Sequence, residues 1–433
     1  MALTVCISLI SVAGMIALAL TEHRLHPKHP SMRVFWAAPL LGAFLLVACR
    51  VLSPTEVLGG LNADSAINPI KILVLFFAMT LMSVFLDEEG FFRYLASAVL
   101  NKAGSDQRKL FFLLYAAVSV LTVFTSNDIV VLTFTPFICY FAKHAKIDPL
   151  PYLICEFVAA NTWSMALIIG NPTNIYLAAS AGVTFAEYLK IMIFPTVMGG
   201  ITSLWVLWIL FRKHLRAPME PSEAHEYIED KPTVTLGIAA LGGCILLMVF
   251  SSYVDISMWL IAALSCLSLY FIAVSELICR HRGLSPVRHA LLRAPFDVVP
   301  FVLSMFVLVM GLNKVGVTAQ LSAWLLGEGE VFRVGVGSFL AANLVNNIPM
   351  SVLFSSVVAP GAAASVPALY AAVIGSNIGA LFTPLGALAG IMWMALLRRY
   401  HVKLSFGRFI LYGAVIAVPT LLATLAGLWL VLI

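Results

Sequence analysis

Apolar residues run along this chain in long blocks separated by short polar stretches. A helix needs about 20 mostly apolar residues to cross a bilayer. Segments 3–20, 33–52, 70–86, 187–211, 234–252, 256–276, 297–312 and 405–431 have that pattern. Two more, 151–180 and 366–394, are long but interrupted by Gly, Pro and Asn. Stretches near 108–142 and 331–358 each carry a polar cluster at mid-length. They read as re-entrant hairpins, with a helix in, a polar tip and a helix back out. The pattern therefore predicts an all-α polytopic membrane protein with about ten crossings and two re-entrant hairpins.

Composition excludes most alternatives. Over 433 residues, 61% are hydrophobic and 11% charged, against roughly 45–50% and about 25% in soluble domains. A water-soluble enzyme and a disordered chain are both set aside. The net charge of +5 is no nucleic-acid signal, and no nucleic-acid partner is expected; the expected partner is the lipid bilayer. Seven cysteines include no CxxC pair, so they read as small buried hydrophobes rather than a metal site or disulfide framework. Residues 3–20 lack a basic leader and a cleavage site, and read as a retained first helix.

Charge placement predicts sidedness. Of 26 basic residues, all but Arg50, Lys71, Lys190, Lys314 and Arg333 fall in the odd-numbered loops. The positive-inside rule makes those loops cytoplasmic and both termini external, in the inner (plasma) membrane. Residues 212–233 then form a cytoplasmic linker, solvated and acidic from Glu220 to Asp230, between halves 1–211 and 234–433.

The halves resemble each other. Residues 75–100 align without a gap to 301–326, pairing Asp87 with Asn313 and Gly90 with Gly316. Asn127-Asp128-Ile129 pairs with Asn346-Asn347-Ile348, Asn161 with Asn377, and Gly170 with Gly386. Five crossings per half would insert the second copy upside down. Inverted repeats with broken helices at matching positions mark secondary transporters, with substrate near the midplane. Segments 91–101 and 317–326 read as interfacial arms, with Phe91, Phe92, Tyr94 and Leu95 toward lipid and Arg93 toward headgroups.

Four polar clusters interrupt the apolar background: Thr125 to Asp128; Asn161 and Ser164 leading to Gly170-Asn171-Pro172-Thr173-Asn174; Asn343 with Asn346-Asn347; and Gly375-Ser376-Asn377 leading to Thr383-Pro384-Leu385-Gly386. Unpaired backbone groups at membrane depth cost several kcal/mol each, so such breaks persist only when buried in protein or lining a wet cavity. Unwound carbonyls suit a cation, helix N-termini suit a substrate oxygen, and Asn, Ser and Thr side chains suit a hydroxylated or oxyanionic solute. The candidate substrate residues are Ser126, Asn127, Asn161, Asn171, Thr173, Asn174, Asn346, Asn347, Ser376, Asn377 and Thr383. The competing reading has these residues merely capping or kinking half-helices.

All nine His fall in the odd loops, and no Lys or Arg sits at mid-span. Asp128 and Glu156 are the carboxylates well inside the membrane region. An intramembrane acid is a functional candidate by default. Asp128 is the expected proton carrier or, with Asn127 and Asn171, part of a Na⁺ site. Glu156, one turn into its crossing, is expected to snorkel to the interface. No nucleotide-binding loop or catalytic His set points to an enzyme, and no cofactor is expected beyond a coupling ion, H⁺ or alternatively Na⁺.

At these residues the sequence resembles the ion transporter superfamily, and within it the arsenite efflux permease family. TSNDIVVLTFTP (Thr125 to Pro136) resembles that family's first hairpin, and AANTWSMALIIGNPTN (Ala159 to Asn174) its broken helix. NLVNNIPM (Asn343 to Met350) and IGSNIGALFTPLGALAGIMWMALLRR (Ile374 to Arg399) resemble the second-half equivalents. The resemblance implies an elevator-type carrier exporting arsenite or antimonite, as the neutral trihydroxy acid, in exchange for protons. It also implies a homodimer, and any driving ATPase would be a separate soluble subunit. The dicarboxylate branch typically shows Ser-Asn-Thr at both tips; here the tips read Ser126-Asn127-Asp128 and Asn346-Asn347-Ile348. The alternatives are a Na⁺-coupled transporter of a di- or tricarboxylate or inorganic anion, and a Na⁺/H⁺ antiporter.

Overall fold

The computed structural model describes residues 1–25, 34–63, 68–217, 219–220, 226–254, 256–359 and 364–433. Every regular element among them is helical. The first half comprises α1 (Ala2–Leu25), α2 (Ala37–Ala48), α3 (Pro54–Asn62), α4 (Pro69–Glu88), α5 (Phe91–Ala103), α6 (Gln107–Phe124), α7 (Asn127–His144), α8 (Leu150–Trp163), α9 (Pro172–Ser180) and α10 (Phe185–Phe211). The second comprises α11 (Lys231–Val249), α12 (Ser251–Val254), α13 (Met258–Cys279), α14 (Ser285–Leu292), α15 (Val298–Lys314), α16 (Val317–Leu325), α17 (Glu330–Val345), α18 (Asn347–Val358), α19 (Val366–Gly379), α20 (Leu388–Arg399) and α21 (Phe406–Leu432).

The order recurs from half to half. Each has two opening helices, a short loop helix, a long apolar helix, a bent arm, a helix pair with a polar tip, a broken helix and a final long helix. The arms turn at matched glycines. Gly90 (φ +80°) and Gly316 (φ +82°) occupy the left-handed region that a Cβ disfavours, at the N-caps of α5 and α16. The bend between α15 and α16 is 79°. The arms pack against the helix pairs, α5 on α6 and α7, and α16 on α18, where Ser322 Oγ donates to the Val357 carbonyl at 2.7 Å. One expectation fails here. Phe92 is fully buried under α5 rather than facing lipid, while Tyr94 stays exposed.

Seven helices among the described residues are long and apolar enough to cross a membrane, and the α15–α16 pair adds an eighth if counted as one span. That count is below ten because α2 has 12 residues and the broken helices fall in two short pieces. It includes α6, which the sequence reading takes as one limb of a hairpin. Large apolar side chains stay exposed along the outer helices, among them Ile201 and Trp205 on α10, Leu264 and Phe271 on α13, and Leu411 on α21. Lipid rather than water suits such a belt.

The halves interlock. The opening helix α2 packs on α15 and α13 packs on α4, so each half covers the other's long apolar helix. The loop helices complete this exchange with opposite charge. Glu56 on α3 accepts from Lys314 at the end of α15 (2.6 Å). Arg293, just past α14, pairs with Asp87 (2.7 Å) and Glu88 (2.5 Å) at the end of α4. Lys314 and the Ser53 backbone hold the Glu56 carboxyl down at about 2. The final helices α10 and α21 run against each other.

The linker's described residues are mostly exposed, with Glu220, Glu226, Tyr227 and Glu229 open to solvent, and a few contacts tie it to the helices. Met219 is buried, Glu220 pairs with Lys146 (2.8 Å), and Ala217 O accepts from Gln107 Nε2 at 2.9 Å. Residues 218 and 221–225 of this linker, and the basic Lys28 and Arg33, lie outside the described residues.

Candidate transport site

The site is built where two broken helices meet. α8 ends at Trp163, and the chain passes through two 3₁₀ turns, Ser164–Ala166 and Ile168–Gly170, before α9 begins at Pro172. α19 ends at Gly379, and a 3₁₀ turn at Pro384–Gly386 precedes α20. Matched glycines allow both breaks. A Cβ on Gly170 would stand 2.2 Å from the Ser164 carbonyl oxygen, and one on Gly386 would stand 2.5 Å from that of Gly379. Only glycine permits backbone to close on backbone at these distances.

Asparagines then satisfy the unwound segments. Asn161 and Asn377, equivalent in the repeat, each donate Nδ2 to the carbonyl four residues back, Phe157 and Val373, both at 2.8 Å. Their Oδ1 atoms differ. Asn161 accepts from Asn127 Nδ2 at the first tip (3.1 Å), while Asn377 accepts from Ser164 Oγ (2.8 Å) and Asn171 Nδ2 (2.9 Å). Asn377 Nδ2 also reaches Asn174 Oδ1 (2.7 Å), and Asn174 Nδ2 caps the carbonyls of Ser164 and Leu167. Asn171 Oδ1 caps the Thr173 amide at the start of α9, and Thr173 Oγ1 donates to Asn174 Oδ1 at 3.5 Å. One continuous network thus joins the first tip, the first break and a helix of the second half.

The second tip docks on its own break. Asn343 Oδ1 accepts from Thr383 Oγ1 (2.7 Å), and its Nδ2 reaches the Gly379 carbonyl (3.1 Å). Asn346 donates to the Leu385 carbonyl (3.0 Å) from φ 76°, a left-handed backbone that a non-glycine residue adopts only under constraint. Asn347 and Ser376 are buried nearby in sequence, on α18 and α19. Thus Asn127, Asn161, Asn171, Thr173, Asn174 and Asn377 come together, whereas Asn346 and Thr383 form a separate cluster. Ser126 instead lines a void of about 10 Å³ with Thr80 and Ser83 of α4, at the lower limit for one water.

Two oxygens in these clusters lack partners among the described residues, Asn127 Oδ1 and Ser376 Oγ. A buried unsatisfied acceptor costs about 1–3 kcal/mol, and polar orphans in transport sites point to a ligand, an ion or water. No Lys, Arg or His joins the Asn127–Asn377 network among the described residues, so its donors are amides and hydroxyls. Asp128 is half-buried in the first turn of α7, next to Asn127.

Glu156 does not snorkel. It is fully buried, and Thr135 Oγ1 on α7 donates to its two oxygens at 3.1 and 3.0 Å. The reason is the packing of α8, whose residues from Leu150 to Thr162 are all buried. Sequence reasoning missed Thr135. The available signal was its spacing from Asp128, seven residues or two turns along one helix face. It also missed Thr133, which donates to Asp87 at 2.9 Å and ties α7 to α4.

Two long apolar halves of one element order, meeting at broken helices with a polar, uncharged network, define a membrane transporter. The comparisons agree with this class. The chain belongs to the citrate transporter (CitMHS) family, which it matches over residues 15–367. It is 30% identical over 425 residues to the arsenical pump membrane protein of Escherichia coli strain K12, covering 91% of this chain and 92% of that one. It is 26% identical over 419 residues to a putative arsenical pump membrane protein of Bacillus subtilis, covering 90% and 92%. In fold it is similar to the Alcanivorax borkumensis YdaH transporter, with TM-score 0.58, 14% identity, and 91% and 97% of the two chains covered.

Proposed function

We propose that this transporter exports arsenite, antimonite or a similar neutral hydroxylated oxoacid in exchange for protons. The observation that carries the reading is the chemistry of the centre. Among the described residues, amide and hydroxyl groups converge there without a fixed cation, and Asn127 Oδ1 has no donor. A neutral trihydroxy acid brings O–H donors and acceptors to such a centre, whereas a tricarboxylate brings charge that nothing in the network offsets. The relatives named arsenical pump membrane proteins support the same cargo.

In this reading the halves are inverted repeats, α6–α7 and α17–α18 are re-entrant hairpins, and α5 and α16 are the arms on which the moving part rides past the interlocked scaffold. Asp128 carries the coupling proton, and proton and cargo alternate in one centre. The protein works as a homodimer in the inner membrane, with both termini external and the 212–233 linker cytoplasmic.

The test is growth of arsenite-sensitive cells expressing the protein. Protection by the wild type, lost in Asp128→Asn, is the expected result; no protection by the wild type overturns the cargo. The family description, citrate transporter, favours a second reading, carboxylate transport, with Na⁺ as the coupling ion expected for it from the sequence. Citrate uptake that requires a Na⁺ gradient in proteoliposomes would establish that reading instead.

A further inference from the structure

Glu156 sits on α8, five residues before Asn161, with no exposed surface. Its sole hydrogen-bonding partner among the described residues is the Thr135 hydroxyl, which meets both oxygens. The elements packed on α8 are α6, α7, α10, α19, the Ser164–Ala166 turn and, through Phe157 against Trp393 and Phe409, α20 and α21, where Arg398, Arg399 and Arg408 are exposed and Tyr412 is half-buried. Buried thiols stand on these elements, Cys139 on α7 and Cys155 on α8. Buried phenols stand on the same elements, Tyr115 on α6, Tyr152 on α8, Tyr188 on α10 and Tyr370 on α19. The charged groups Arg108, Lys109, Lys143, His144, Glu187 and Lys190 are exposed at helix ends, and α19 carries none. Asp128, half-buried, lies two turns before Thr135 on α7.

A buried carboxylate without a cation, facing one hydroxyl, is costly, so the acid form is the one this seam accommodates. As mere packing, an amide would make the same bond with Thr135 and carry no risk of ionising. An acid there adds one capacity, that of taking up and releasing a proton. Pro136, next to Thr135, has no N–H and so removes one helical hydrogen bond from α7 beside this seam.

We propose that Glu156 is a second proton-binding site of the transport cycle, distinct from Asp128, loaded in the packed state and emptied when water reaches the α7–α8 seam. The carboxyl O–H bond breaks to give a carboxylate and a hydrated proton, and reforms on reclosure. As a coupling site this rests on the proton-exchange reading above.

The test has two arms. Infrared difference spectra of the protein in nanodiscs, titrated with pH and without substrate, should show a protonated-carboxyl band that Asp128→Asn keeps and Glu156→Gln loses. Identical bands in the wild type and Glu156→Gln overturn the proposal. In proteoliposomes, Glu156→Gln should lose at least tenfold of pH-gradient-driven As(III) accumulation while gradient-free As(III) exchange stays within twofold; wild-type accumulation overturns the coupling role. If the wild type moves no As(III), the cargo reading fails and the infrared arm alone decides the proton site. Should Glu156→Gln not fold, Thr135→Val keeps the acid and removes its donor. Its band should titrate at higher pH than in the wild type, and an unmoved midpoint overturns the proposal.

Discussion

Asn171 donates its side-chain amide to Oδ1 of Asn377 at 2.9 Å, across 206 residues of sequence. This bond makes the first broken helix depend on a helix of the second half. Ser164 reaches the same oxygen, and Asn174 accepts from the other end of the same amide. Asn377→Ala would remove three buried cross-half hydrogen bonds and leave Asn171 Nδ2 without a partner among the described residues, at about 1–3 kcal/mol for that group. We expect the variant to reach the membrane with a lowered melting temperature and transport reduced at least tenfold, measured by fluorescence-detected chromatography and vesicle flux. Wild-type flux would mean that the cross-half bond is dispensable.

The breaks themselves are tested through their glycines. Gly170→Ala and Gly386→Ala each drive a methyl into a backbone carbonyl, an overpacking of about 1–3 kcal/mol. A methyl on Gly59 would meet nothing within 4 Å, so Gly59→Ala is the control. Thermal shift in detergent should separate the two breaks from the control. Equal melting temperatures for all three would show that the breaks relax freely.

Asp87 holds the junction between α4 and the α6–α7 helix pair. It is buried, it pairs with Arg293, and it accepts from Thr133 on α7. Asp87→Ala should lower stability by about 1–3 kcal/mol. Thr133→Val, which removes only the bond to α7, should lower stability by no more than about 1–3 kcal/mol while changing flux. A flux change of the same size in a Thr133→Ser variant, which keeps the hydroxyl, would contradict a role for that bond.

Glu89, just beyond the end of α4, gives a pH prediction. Burial, reinforced by the nearby Asp230 carboxylate, pushes its carboxyl up to about 7. Because the folded value is raised, its favourable contribution is complete below the unfolded value near 4.5 and is lost as pH rises toward 7. The melting temperature of Glu89→Gln relative to wild type should therefore climb between about pH 4.5 and 7 and level off above. A difference that stays flat with pH would contradict it.

The parts legible in the sequence are those where chemistry interrupts an apolar run. Thr125 to Asp128, Asn343 to Asn347, Gly170 and Gly386 stand out because polar and flexible residues are costly there, and the structure breaks its helices at each. Direction is not legible. Periodicity does not say which side of an all-apolar helix meets protein, so it sends Phe92 to lipid and Glu156 to the interface, and both are buried. Long-range partners are equally hidden. Asn377 could bond either half, and the α3–α15 and α14–α4 ion pairs join residues 258 and 205 positions apart, with no local signature.

The decisive measurement is simultaneous recording of As(III) and proton movement in proteoliposomes containing the purified protein and a trapped pH dye. We predict that As(III) influx drives proton efflux, that Asp128→Asn uncouples or abolishes both, and that replacing Na⁺ with K⁺ changes neither. As(III) movement without proton movement, or a flux that requires Na⁺, would contradict proton-for-oxoacid exchange.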